Sequence, residues 1–117
     1  MARILVVDDE VRLVTLLTGA LKYRGHETVG VHGGQEALER IAAEPFDVVL
    51  TDLRMEPIGG MEVIAGVREQ SPETAVIVLT AHGDVQTAVE ALRRGAFHFL
   101  TKPVNFDAVA HAVEQIG

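Results

Sequence analysis

Short apolar, β-branched runs alternate with longer stretches of helical spacing five times along this chain, and few folds accept that order. The runs lie at 4–7, 28–31, 48–51, 76–80 and 97–101. After each, apolar residues recur three and four positions apart, the spacing of one helix face. The sets are Val14, Leu17 and Leu21; Ala37, Leu38 and Ile41; Met61, Ile64 and Val67; Val85, Val89 and Leu92; and Phe106, Val109, Ala110 and Val113. Gly25, Pro45, Ser71-Pro72 and Gly95 mark helix stops. Asp84 and Asn105 mark starts, because their short polar side chains can cap open amides. Alternating strands and helices predict an α/β domain, a doubly wound parallel sheet with helices on both faces. Right-handed crossovers leave few topologies, and five strands predict the order 2-1-3-4-5. The first, third and fourth runs are the most continuously apolar, as central strands covered on both sides should be.

The length, 117 residues with 48% hydrophobic positions, supports one core and one domain spanning 1–117. Seventeen acids against ten bases give a net charge of -7, which disfavours direct contact with nucleic acid or anionic lipid. The absence of cysteine excludes disulfides, thiolate nucleophiles and cysteine-ligated zinc. No apolar run approaches the roughly 20 residues of a membrane span. A cytoplasmic, soluble domain without a membrane partner is the expectation.

In such a sheet the ligand crevice lies beyond the carboxyl ends of the strands where the winding reverses, here between the first and third. The first run leads into Asp8-Asp9-Glu10, the third into Asp52, the fourth ends in Thr80 and the fifth in Thr101-Lys102-Pro103. A lone Asp at a strand end is usually a cap or turn former, and a lone Lys is usually solvated. Four strands delivering such residues to one edge is a different matter. Each close carboxylate pair costs on the order of 4 kcal/mol at an effective dielectric near 20, so positive charge must gather there. Mg2+ suits an all-oxygen donor set, and Lys102 offers a point charge for a phosphate oxygen. A central aspartate flanked by Mg2+ and lysine is equipped for phosphoryl transfer, with Thr80 placed to donate to the product.

Val6-Val7-Asp8-Asp9-Glu10, Leu50-Thr51-Asp52-Leu53-Arg54-Met55, Thr80-Ala81-His82 and Phe99-Leu100-Thr101-Lys102-Pro103 together resemble the receiver domain of two-component response regulators. The resemblance covers essentially the whole chain, and residues 80–103 are similar to receivers of the NtrC subfamily. It implies a phosphorylation-dependent switch rather than an enzyme. Asp52 would be the phosphoacceptor for a sensor histidine kinase. Asp8, Asp9, Asp52 and the backbone carbonyl of Arg54 would hold Mg2+, while Thr80 and Lys102 would contact the phosphoryl group. Thr80 and Phe99 would form the switch, Lys102–Pro103 would be a cis peptide, and Arg54 and His82 would tune phosphoryl lifetime. The surface around 85–106 would then control an effector, with transcriptional regulation the expected output. The resemblance also implies a C-terminal effector domain beyond this chain and leaves room for a homodimer through the 85–117 face. A free-standing regulator is the alternative to an excised receiver.

One position departs from the family pattern. Glu56 stands where a Pro is usual, and Pro57 follows it. The spacing to Gly60 is kept, so the loop should keep its length while gaining an acid near the cation. Gly33-Gly34 lacks the Gly-Lys-Ser/Thr ending of a phosphate loop. The five histidines show no zinc spacing, and Arg93-Arg94 suits a helix C-terminus better than a nucleic-acid patch. The competing reading is a Mg2+-dependent phosphatase with an aspartyl nucleophile. That class commonly carries an acid two residues on, where this chain has Arg54, which cannot serve as one. A flavin module shares the topology, but the carboxylate crowd opposes a cofactor phosphate.

Overall fold

The computed structural model describes residues 1–81 and 84–116. Among these, strands and helices alternate as β1 (Arg3–Val7), α1 (Val11–Tyr23), β2 (Glu27–Val31), α2 (Gly34–Ala43), β3 (Val48–Asp52), α3 (Gly60–Gln70), β4 (Ala75–Thr80), α4 (Val85–Arg93), β5 (His98–Thr101) and α5 (Phe106–Ile116). The strands pair in parallel in the order β2-β1-β3-β4-β5, as expected. Each apolar run matches its strand to within one residue at either end. Phe97 is the one run residue left out. Its N–H donates to the Val76 carbonyl at 2.7 Å, yet its side chain lies 54% exposed.

The two-residue period of the strands divides the core into two layers. Ile4, Val6, Val48, Leu50, Ile77 and Leu79 pack against Val14, Leu17 and Leu21 of α1 and Val109, Ala110 and Val113 of α5. Leu5, Val7, Val49, Val76 and Val78 face the other way, onto α2, α3 and Ala91 of α4. Each fully buried Leu, Ile or Val contributes up to about 1.5–3 kcal/mol. β3 is buried at every position because both its faces are covered. Its last residue, Asp52, therefore reaches the sheet edge from the most enclosed strand.

Helix α4 does not bury its large apolar stripe. Val85, Val89 and Leu92 are exposed, whereas Ala88 and Ala91 are fully buried. Small alanines let α4 lie close to the sheet, and the bulkier residues at the same helical period are turned outward. Phe106 at the start of α5 is also partly exposed.

The helix boundaries follow local chemistry with one exception. Gly25 and Gly95 end α1 and α4 in the left-handed region, with φ of 94° and 114°. Asn105 Oδ1 accepts the Ala108 N–H at 3.1 Å, a cap on α5. Asp84 precedes α4 as expected, but its carboxylate makes no capping bond. A guanidinium from a distant loop holds it instead. Among the described residues, no helix is long and apolar enough to cross a membrane.

Candidate phosphoacceptor site

Strand register brings the polar ends together. Val7 of β1 pairs with Thr51 of β3, so Asp8 and Asp52 emerge side by side. Thr80 of β4 pairs with Thr101 of β5, and the Lys102 N–H donates to the Thr80 carbonyl at 2.8 Å. Carboxylate oxygens of Asp8, Asp9 and Asp52 lie within 4.8 Å of one another, with Asp8 and Asp52 buried and Asp9 exposed.

Lys102 spans this group. Its Nζ donates to Glu10 Oε1 at 2.9 Å and to Asp52 Oδ2 at 3.4 Å. It also forms an ion pair with Asp8 Oδ2 at 3.0 Å. Burial works against the Lys102 charge; the bond to Glu10, the contact with Asp8 and the charge of Asp52 outweigh it. The ammonium is thus held above its ordinary lysine range and stays cationic. Asp8 shows the opposite balance. Burial raises its carboxyl above the usual range, although the Glu10 N–H bonded to Oδ1 at 2.9 Å and the nearby ammonium both oppose that.

One buried polar atom near Asp52, Thr80 Oγ1, lacks a hydrogen-bond partner among the described residues. Leaving such a group unsatisfied costs about 1–3 kcal/mol. The converging carboxylate oxygens of Asp8, Asp9 and Asp52 form a hard donor set that fits a hard divalent cation.

The loop after β3 is tied to the start of α3 by local hydrogen bonds. Gly60 N–H donates to the Leu53 carbonyl at 3.0 Å, and Glu62 returns to the Gly59 N–H at 3.2 Å. Glu56 lines an open cleft of about 650 Å³ together with Asp9, Arg54 and Glu62. Both Glu56–Pro57 and Lys102–Pro103 are cis. The backbone N–H of Arg54 donates to Asp52 Oδ1 at 3.2 Å. Its guanidinium turns to Asp84, Nε to Oδ2 at 2.7 Å and Nη2 to Oδ1 at 3.1 Å. Thr87 Oγ1 completes the Asp84 environment at 2.9 Å. Phe99 is half-buried against the layer under α2 and α3. His82 lies outside the described residues.

Two residues at this edge escaped the sequence reading. Glu10 was visible in the acidic run, but nothing local showed that it would receive Lys102 from 92 residues away. Asp84 carried the signal of a cap, which hid its pairing with Arg54.

The doubly wound α/β sheet thus gathers an acidic crevice, a central aspartate and a facing lysine at one edge. Residues 4–114 match the response regulator receiver domain family, and the chain belongs to it. It is 41% identical over 113 residues to the transcriptional regulatory protein GlrR of Escherichia coli, covering 97% of this chain and 26% of that protein. It is 38% identical over 109 residues to the response regulator protein PilR of Pseudomonas aeruginosa, covering 93% and 24%. The chain thus spans about a quarter of the length of these relatives. Among solved structures, a receiver domain protein from Clostridium thermocellum superposes with a TM-score of 0.92 at 33% identity, covering 99% and 94% of the two chains. The receiver domain of NtrX from Brucella abortus gives 0.91 at 35%, covering 97% and 96%.

Proposed function

We propose that Asp52 accepts a phosphoryl group from a phosphohistidine on a sensor kinase and that the resulting acyl phosphate drives a conformational switch. The observation that carries this reading is the convergence of Asp8, Asp52 and Lys102 at one sheet edge. Asp52 attacks phosphorus in line; the new P–O bond forms as the P–N bond to the imidazole breaks, and the imidazole leaves with that electron pair. Lys102, held cationic, neutralises charge on the phosphoryl oxygens. The carboxylates of Asp8, Asp9 and Asp52 and the Arg54 carbonyl would hold Mg2+, whose chemistry is to offset negative charge between acceptor and phosphate.

Thr80 supplies the switch. Its buried, unpartnered hydroxyl gains an acceptor once a phosphoryl oxygen stands beyond Asp52. Movement of Thr80 toward it opens room for Phe99, half-buried on the neighbouring strand, to turn inward. The exposed stripe of Val85, Val89 and Leu92, with Phe97 and Phe106, reports the change over 85–106. That apolar face also suits a homodimer through 85–117. Both relatives are about four times longer, and GlrR is named as a transcriptional regulatory protein, which supports an effector domain and a transcriptional output; the reading places this switch in the cytoplasm. Arg54 and His82 tune the phosphoryl lifetime.

The aspartyl phosphatase alternative fares worse, because Arg54 occupies the position of its acid and a guanidinium cannot donate a proton as an acid would. Intact mass after treatment with acetyl phosphate and Mg2+ tests the assignment. The wild type gains one phosphoryl group and Asp52→Asn gains none; an equal adduct on the variant would move the acceptor elsewhere.

A further inference from the structure

The Arg54–Asp84 pair joins the loop after the acceptor strand to the first turn of the helix that carries the exposed stripe. Arg54 is two residues from Asp52 and already touches it through its N–H. Asp84 sits at the N-cap of α4, where a carboxylate ordinarily accepts amides of the first turn. Here it accepts none, because both its oxygens are engaged by the guanidinium, with Thr87 sharing one of them. Charge-assisted, two-pronged bonds to Arg outcompete neutral amides.

The pair is also easily exchanged. The Arg54 side chain is 69% exposed against 17% for Asp84, and an ion pair with one partner open to water shifts an equilibrium only about two- to fivefold. An acyl phosphate on Asp52 would add about two negative charges and three strong acceptors within the same loop. Asp84 offers one charge.

We propose that Asp84 is a positioning residue that holds the Arg54 guanidinium away from Asp52 in the unphosphorylated domain, and that Arg54 exchanges Asp84 for the phosphoryl group. This rests on Asp52 being the phosphoacceptor. The exchange has two ends. At the acceptor, Arg54 covers the phosphoryl oxygens and slows attack by water. At α4, the freed Asp84 carboxylate turns to the first-turn amides and caps the helix, so the state of Asp52 reaches α4 by a route separate from Thr80 and Phe99.

The test uses wild type, Arg54→Gln, Asp84→Asn and the double variant. Phosphoryl loss is followed by intact mass, and amide exchange of Gln86 and Thr87 is read without phosphate. Asp84→Asn should lengthen the phosphoryl half-life two- to fivefold, and only when Arg54 is present. Arg54→Gln should slow first-turn exchange in the unphosphorylated protein, because Asp84 is then free to cap. An Asp84→Asn effect that persists unchanged in the Arg54→Gln background would overturn the proposal. So would unaltered first-turn exchange in Arg54→Gln, a reading that needs no phosphorylation and separates this failure from failure of Asp52 as acceptor. Wild type that takes up no phosphoryl group overturns both.

Discussion

Lys102 Nζ forms a 3.0 Å ion pair with Oδ2 of the fully buried Asp8. The surroundings of this carboxylate disfavour its ionised form: burial raises its pKa, and the Glu10 amide and Lys102 compensate only in part. The site therefore carries a cost in the folded domain that a bound cation would relieve.

Asp8→Asn should accordingly stabilise the metal-free domain. A carboxyl whose folded pKa is raised contributes its stability at low pH and loses it as pH rises through the folded value, leaving a deficit at neutral pH. The amide keeps the shape and removes the charge. Thermal unfolding in chelator at pH 7 should show a higher midpoint for the variant, and added Mg2+ should raise the wild-type midpoint alone. A variant midpoint at or below the wild type would mean that Asp8 is satisfied as it stands.

Mg2+ affinity should depend on Asp9, the exposed member of the trio. Mg2+ dehydrates reluctantly, so binding without phosphate should be weak and each carboxylate should matter. Calorimetric or NMR titration of Asp9→Ala should give affinity at least about tenfold below wild type. Equal affinities would remove Asp9 from the ligand set.

Thr80→Val should separate chemistry from switching. Asp52 and Lys102 remain, so phosphoryl uptake should persist. The hydrogen bond to the phosphoryl group is lost, and a charge-assisted bond of about 1.5–3 kcal/mol changes a two-state ratio ten- to a hundredfold. NMR shift changes over 85–99 on beryllofluoride addition should be sharply reduced. A full response in the valine variant would show that the signal leaves by another path.

At the opposite end of the sheet, Glu114 of α5 binds Arg24 Nε at 3.3 Å and His26 Nε2 at 3.3 Å. The Arg24 bond, then the His26 bond, holds its carboxyl below the usual range. Such stability is present above the ordinary glutamate value of roughly 4.3 and is lost as pH falls through the depressed value. Wild type should therefore exceed Glu114→Gln in urea midpoint at pH 7, and the gap should close in acid. A gap independent of pH would assign the effect to packing.

Much of the fold was legible in the sequence because periodicity is a local property. Runs of period two and stretches of period 3.6 set element type and order, and right-handed crossovers then restrict the sheet to very few arrangements. The strand-end acids, Thr80 and Lys102 were legible for the same reason: a parallel sheet sends every strand end to one edge. Which residues bond there was not. Lys102 reaches Glu10 and Arg54 reaches Asp84 across 92 and 30 residues. Those partnerships depend on loop paths and on competition among nearby charges, which spacing along the chain does not encode. The outward turn of Val85, Val89 and Leu92 was decided the same way. Helical spacing places them on one face, but only the packing of Ala88 and Ala91 onto the sheet settles which face meets water.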